Sequence, residues 1–171
     1  MRYFLIFSAA FLLLCQSCKK ESFYGEDEYK TSYNAWLKFK KENNNSYIYT
    51  TTWSSWTGFY GRMIITVKGG KIIARDYKVT GADENDRSVI KIYEEWQEDE
   101  ATINSHPRVS KTLDEVYTTA KNEWLKVNEK ENLIYFEAKN DGMISSCGYV
   151  PIGCADDCFV GITITEIKKS L

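Results

Sequence analysis

Residues 62–67 and 71–80 are two strand-like runs joined through Lys68-Gly69-Gly70. A Gly-Gly pair supplies the positive φ angles of a two-residue hairpin turn, since no Cβ opposes them. The spacing therefore predicts a tight antiparallel hairpin, and the rest of the chain must extend it or pack against it. Just upstream, residues 47–53 (Tyr-Ile-Tyr-Thr-Thr-Thr-Trp) are dense in aromatic and β-branched types and predict another strand. Residues 53–58 between them read as a loop.

Two segments carry helical spacing instead. Tyr33, Trp36, Leu37 and Phe39 fall on one side of a first helix, which the Asn43-Asn44-Asn45-Ser46 cluster ends. Thr112-Leu113-Asp114-Glu115 has the Thr-x-x-Glu form of a capping box. The apolar positions Leu113, Val116, Tyr117, Ala120, Trp124 and Val127 behind it predict a second helix over 113–127. Residues 81–88 read as a loop, and residues 89–96 fit a strand or a short helix equally. Residues 131–138 predict a strand, Asn140-Asp141-Gly142 a turn, and residues 143–146 a return. Residues 159–167 alternate as a closing strand with one apolar face. The order predicts an α+β fold: an antiparallel sheet with two helices packed on one face.

The first residues have a different character. Met1-Arg2-Tyr3, the apolar run 4–14 and the small Ser17 before Cys18 are the three regions of a secretory signal. The run is shorter than the roughly 20 apolar residues a membrane span needs. Ser17 is small where Leu14 is bulky, so cleavage is expected before Cys18, with Cys15 lost in the signal. The expectation is a lipoprotein: residues 1–17 as signal peptide, Cys18 lipidated, residues 18–30 a polar tether, and residues 31–171 a single α+β domain. A diacylglyceryl thioether plus an N-acyl chain such as palmitate gives stable anchoring, which one chain alone does not. The place expected is the cell envelope, at a bacterial membrane and by preference the outer one; neither face of it is assigned.

Lys19-Lys20-Glu21, with Glu26, Asp27 and Glu28 beyond, resembles the charged segments behind the lipid cysteine of surface-exposed Bacteroidetes lipoproteins. The segments 47–49 and 64–73, a following helix, and Cys147-Gly148-Tyr149-Val150-Pro151 resemble a family of uncharacterised small bacterial lipoproteins of that type. That resemblance implies the fold order given above and no activity.

The chain carries 22 basic and 24 acidic residues, with no basic run, so nucleic acid is not an expected partner. Aromatic residues make up 15% and fall mostly in strand-like stretches, where they serve structure. Trp53, Trp56, Phe59 and Tyr60 differ: they flank Ser and Gly rather than alternate, and are candidates for an exposed surface that meets a protein or glycan.

Chemistry concentrates in one place. After Cys15 and Cys18 are set aside, Cys147, Cys154 and Cys158 remain within twelve positions. Export permits disulfides, and one bridge leaves one thiol over. Connectivity is open; a Cys154–Cys158 bridge requires a turn, because strand geometry holds them too far apart. One reading is a disulfide that pins a loop, with the third thiol buried. Another is a soft-metal or thiol-redox site on all three, against zinc-module spacing. A third is a reactive thiol or an intermolecular bridge. Asp156-Asp157 lacks the calcium-loop pattern around it, and no Gly-x-Ser-x-Gly, His-Glu-x-x-His or phosphate-cradling Gly-rich motif is present. The single histidine, His106, precedes Pro107, and acid pairs such as Glu94-Glu95 specify nothing without a known separation. The sequence points to a non-enzymatic binding or accessory module without a cofactor. The alternatives are the metal or redox protein above and, by fold analogy alone, an inhibitor of a foreign hydrolase.

Overall fold

The computed structural model describes residues 22–170. The signal segment, Cys18 and residues 19–21 lie outside the described residues. Among those described, no helix is long and apolar enough to cross a membrane.

The first helix, α1 (Glu26–Glu42), begins inside the stretch read from sequence as tether. Glu26, Asp27 and Glu28 form its first turn, where the helix dipole favours negative charge; Lys40 and Lys41 complement it at the other end. Its buried stripe is Tyr29, Ser32 and Trp36, one turn longer than the apolar spacing alone suggests, while Leu37 is exposed. Strands β1 (Tyr47–Ser54), β2 (Tyr60–Lys68), β3 (Lys71–Ala82) and β4 (Ile90–Glu98) follow as a meander. Gly69 and Gly70 take φ of 56° and 81°, as the hairpin requires. Of residues 89–96, ambiguous in sequence, Ile90 onward become strand because β3 runs on to Ala82 and offers a partner to all but Tyr93, where the register shifts.

The second helix, α2 (Leu113–Asn122), has the expected capping box but stops short of residue 127. Trp124–Lys126 form a 3-10 turn instead, and the adjacent Trp124 and Leu125 are both buried there. Strands β5 (Asn132–Glu137), β6 (Ser146–Pro151) and β7 (Val160–Lys169) complete the chain. Asp141 and Gly142, with φ of 50° and 83°, make the turn between Asn140 and Met143. The cysteine segment is not one loop, since β6 takes up Cys147 and only residues beyond Pro151 stay irregular.

The seven strands form one antiparallel sheet in the order β4-β3-β2-β1-β7-β6-β5, so the first and last strands meet at its centre. β7 is shared unequally. Residues 164–169 pair with β1, whereas residues 160–163 pair with β6. Past Thr51↔Ile164 the ladder between β1 and β7 ends, and Thr52, Trp53 and Ser54 pair with β2 alone. A bulge at Thr165 shifts the register just before this point. It turns Glu166 outward and brings Ile167 against the core beside buried Ile164, a change of face that strict alternation does not foresee.

Several of the aromatic rings of the core have their polar ends hydrogen-bonded to neighbouring elements. Trp36 of α1 meets Tyr47 of β1 edge-on at 5.0 Å, and Tyr47 Oη accepts from Leu113 N–H at 2.8 Å at the start of α2. Tyr117 Oη donates to Ser32 O and accepts from Ile144 N–H at 2.9 Å. Tyr29 Oη donates to Tyr117 O at 3.0 Å. Burial without such partners costs about 1–3 kcal/mol per group, so this network fixes the arrangement as well as filling it.

Candidate functional site

Where β1 and β7 part, the sheet opens into a cleft of about 910 Å³. That lies within the range of small-ligand pockets. Its sides come from β1, β2, Tyr77 of β3, Val150 of β6, β7, the connection before α2, Trp124 and the cysteine loop.

Two walls follow the same rule. Trp53 lies flat over Gly61, its partner on β2: a Cβ on Gly61 would stand 2.0 Å from the indole nitrogen. The indole N–H then donates to Tyr77 Oη at 3.2 Å. Burial pushes the Tyr77 hydroxyl up, and the bond from Trp53 together with nearby Arg108 pulls it partly back. On the opposite side, Phe159 lies across the paired glycines Gly148 and Gly161; a Cβ on either would come within 2.8 Å of its ring. Glycine within a strand marks the close approach of another group, and here both approaching groups are cleft aromatics. Tyr60, Tyr49 and Trp124 add to the lining.

The connection from β4 to α2 supplies the cations, and a buried ion pair holds it. Arg75 and Glu98 meet at 2.6 Å with side chains almost wholly buried. Arg75 donates onward to the carbonyls of His106 (3.1 Å) and Arg108. Glu98 accepts from the main-chain N–H of His106 at 2.6 Å and from Ser105 Oγ at 3.0 Å. Burial raises the Glu98 carboxyl, but those hydrogen bonds and Arg75 outweigh it and hold the group at about 2. Tyr49 Oη donates to Lys111 O, closing the segment against β1. Arg108 and Lys111 then line the cleft, with the Arg108 guanidinium 4.3 Å over Tyr77.

The cysteine loop closes the remaining side. Cys154 and Cys158 are at disulfide distance, their Cα atoms 6.3 Å apart across the turn that such a bridge requires. Next to Cys158, Asp157 accepts from Ser55 Oγ at 2.8 Å and from Trp56 N–H at 3.1 Å. The bridged loop thereby grips the β1–β2 loop. Cys147 stands apart, buried in β6 opposite Phe136, its thiol pushed by burial up to about 12. The three cysteines therefore do not converge, and among the described residues no cluster of three His, Cys, Asp or Glu side chains is placed to hold a metal.

The chain matches no known family, no curated protein and no solved structure.

What the site does is therefore read from its own residues. Of the four aromatics singled out in the sequence, Trp53 and Tyr60 line the cleft. Trp56 is exposed at the loop tip, 73% accessible, and is not part of the wall. Phe59 is not exposed as expected: its ring covers Gly81 and meets Tyr93 edge-on at 4.9 Å. Glu94 and Glu95 point to different partners, Glu94 to Arg108 at 3.6 Å and Glu95 to Lys78 at 2.6 Å. His106 stacks on Trp96 at 4.1 Å and does not line the cleft. Sequence reading missed Tyr77, Arg108, Lys111 and Phe159. For Phe159 the signal was present, since Gly148 and Gly161 interrupt strand-like runs; for the two cations there was none.

Proposed function

We propose that this chain is a lipid-anchored protein of the bacterial cell envelope whose domain binds a ligand in the β1–β7 cleft rather than transforming one. The carrying observation is the cleft itself: about 910 Å³, with Trp53 and Tyr60 on its wall and Trp53 seated over Gly61. Such concavity suits a glycan segment, where a flat protein partner would ask for a broad even face. In this reading both helices cover the sheet face bearing Tyr47, and the Trp53 end of that face stays open. The contacts of Trp36 and Leu113 with Tyr47 support that placement.

The cleft's acid–base inventory favours binding. Its one carboxylate, Asp157, already accepts two hydrogen bonds, and His106 and Cys147 lie elsewhere. Acid–base work by a carboxylate or an imidazole needs such a group free within reach of substrate.

The test is calorimetric titration of full-length protein in neutral detergent against neutral and acidic oligosaccharides, beside Trp53→Ala and Trp56→Ala. Saturable binding lost in Trp53→Ala and kept in Trp56→Ala supports the reading. Binding lost only in Trp56→Ala would move the site to the loop tip. The anchor is tested by metabolic labelling with an alkyne fatty acid, which Cys18→Ser must abolish.

A further inference from the structure

We propose that the ligand is an acidic saccharide, its ring faces against Trp53 and Phe159 and its carboxylate at Lys111 and Arg108. This rests on the binding reading above and adds the ligand's charge and class.

The charges bordering the cleft are unequal in availability. Asp157 has both oxygens engaged by Ser55 and Trp56. Arg108 leans over Tyr77 and is 3.6 Å from Glu94, so part of its charge is met from behind. Lys111 is exposed and has no ion-pair partner among the described residues. An anion entering the cleft finds one free ammonium and one partly compensated guanidinium. Against these two cations the lining sets one carboxylate, Asp157, held by Ser55 and Trp56.

The placement of these cations is built. Arg75, Glu98 and Tyr49 fix the main chain of residues 106–111, so that Arg108 and Lys111 are among the residues bordering the cleft and the Arg108 guanidinium lies over Tyr77. A buried pair costs desolvation that apolar residues would avoid, and its return here is the position of that segment.

The rest of the lining selects among anions. Thr51, Ser110 and Thr163 bring hydroxyls among the aromatic walls. An acyl chain gains nothing from hydroxyls, and inorganic phosphate gains nothing from Trp53 and Phe159. A sugar acid uses both: apolar ring faces on the aromatics, hydroxyls on hydroxyls, and a carboxylate in charge-assisted bonds to the cations.

The experiment compares tetramers of galacturonate, glucuronate and mannuronate with their methyl esters, by calorimetry on the full-length protein. Esterification keeps each ring and removes its charge. At least one acid tetramer is expected to bind about tenfold or more tightly than its ester, the magnitude of a charge-assisted hydrogen bond. Lys111→Met should erase that difference, Lys111→Arg should retain it, and affinity for the acid should fall with salt. Equal binding of acid and ester overturns the acidic assignment and leaves the binding reading standing. No binding of any acid, ester or neutral oligosaccharide overturns both.

Discussion

Asp157 joins two loops a hundred residues apart in sequence, accepting Ser55 Oγ at 2.8 Å and Trp56 N–H at 3.1 Å. One loop is bridged between Cys154 and Cys158; the other carries the most exposed tryptophan of the chain. The clasp sits at the mouth of the cleft, where β1 and β7 have ceased to pair. Asp157→Ala is expected to raise amide exchange across residues 55–59 while leaving β1–β3 protected. An exposed contact of this kind contributes about 1 kcal/mol or less, so global stability should hardly move. Unchanged exchange in the loop would mean that the clasp does not restrain it.

The three thiols should separate by environment. Unreduced native protein is expected to take up no alkylating reagent at Cys147, Cys154 or Cys158. Mild reduction should expose Cys154 and Cys158, and only denaturation should expose Cys147, which is buried and has a thiol pushed up to about 12. Peptide mapping by mass spectrometry reads this directly. Labelling of Cys147 in the native state would contradict its place in the core.

Gly61 should tolerate no side chain while Trp53 is present. Gly61→Val is expected to cost about 1–3 kcal/mol through overpacking and to displace the indole from Tyr77. In the double variant with Trp53→Ala much of that cost should vanish, a coupling that a denaturation cycle measures. Additive losses would show that the indole does not rest on Gly61.

Acid stability should carry the imprint of Glu98. Its carboxyl sits at about 2 in the fold against roughly 4.3 when unfolded, so the unfolded state binds the proton first. The contribution is complete above about pH 5 and is lost as pH falls from there toward 2. Melting temperatures across that window should drop less steeply in Glu98→Gln. Parallel profiles for the two proteins would refute the assignment.

The sheet was largely legible in the sequence, because alternation and the Gly69-Gly70 turn encode it locally. The capping box at Thr112 likewise marked the start of α2. The start of α1 was not legible, since its acidic first turn looks the same as a solvated tether until Tyr29 is seen to be buried. Nor was the cleft, which depends on where the β1–β7 ladder stops, a property of two strands more than a hundred residues apart. The aromatic candidates divided for a related reason: Trp53 has a glycine beneath it across the ladder, whereas Phe59 finds its cover at Gly81, and neither partner is near in sequence.

The five tryptophans report on ligand entry into the cleft in one spectrum. Trp53 and Trp124 line the cleft, Trp36 is in the core, Trp96 lies beneath His106 and Arg75, and Trp56 is at the loop tip. With each indole labelled by fluorine and assigned by substitution, the protein would be titrated with the uronate tetramers. Saturable shifts are expected at Trp53 and Trp124, with Trp36 and Trp96 unmoved. Shifts confined to Trp56, or none at Trp53, would contradict ligand entry into the cleft.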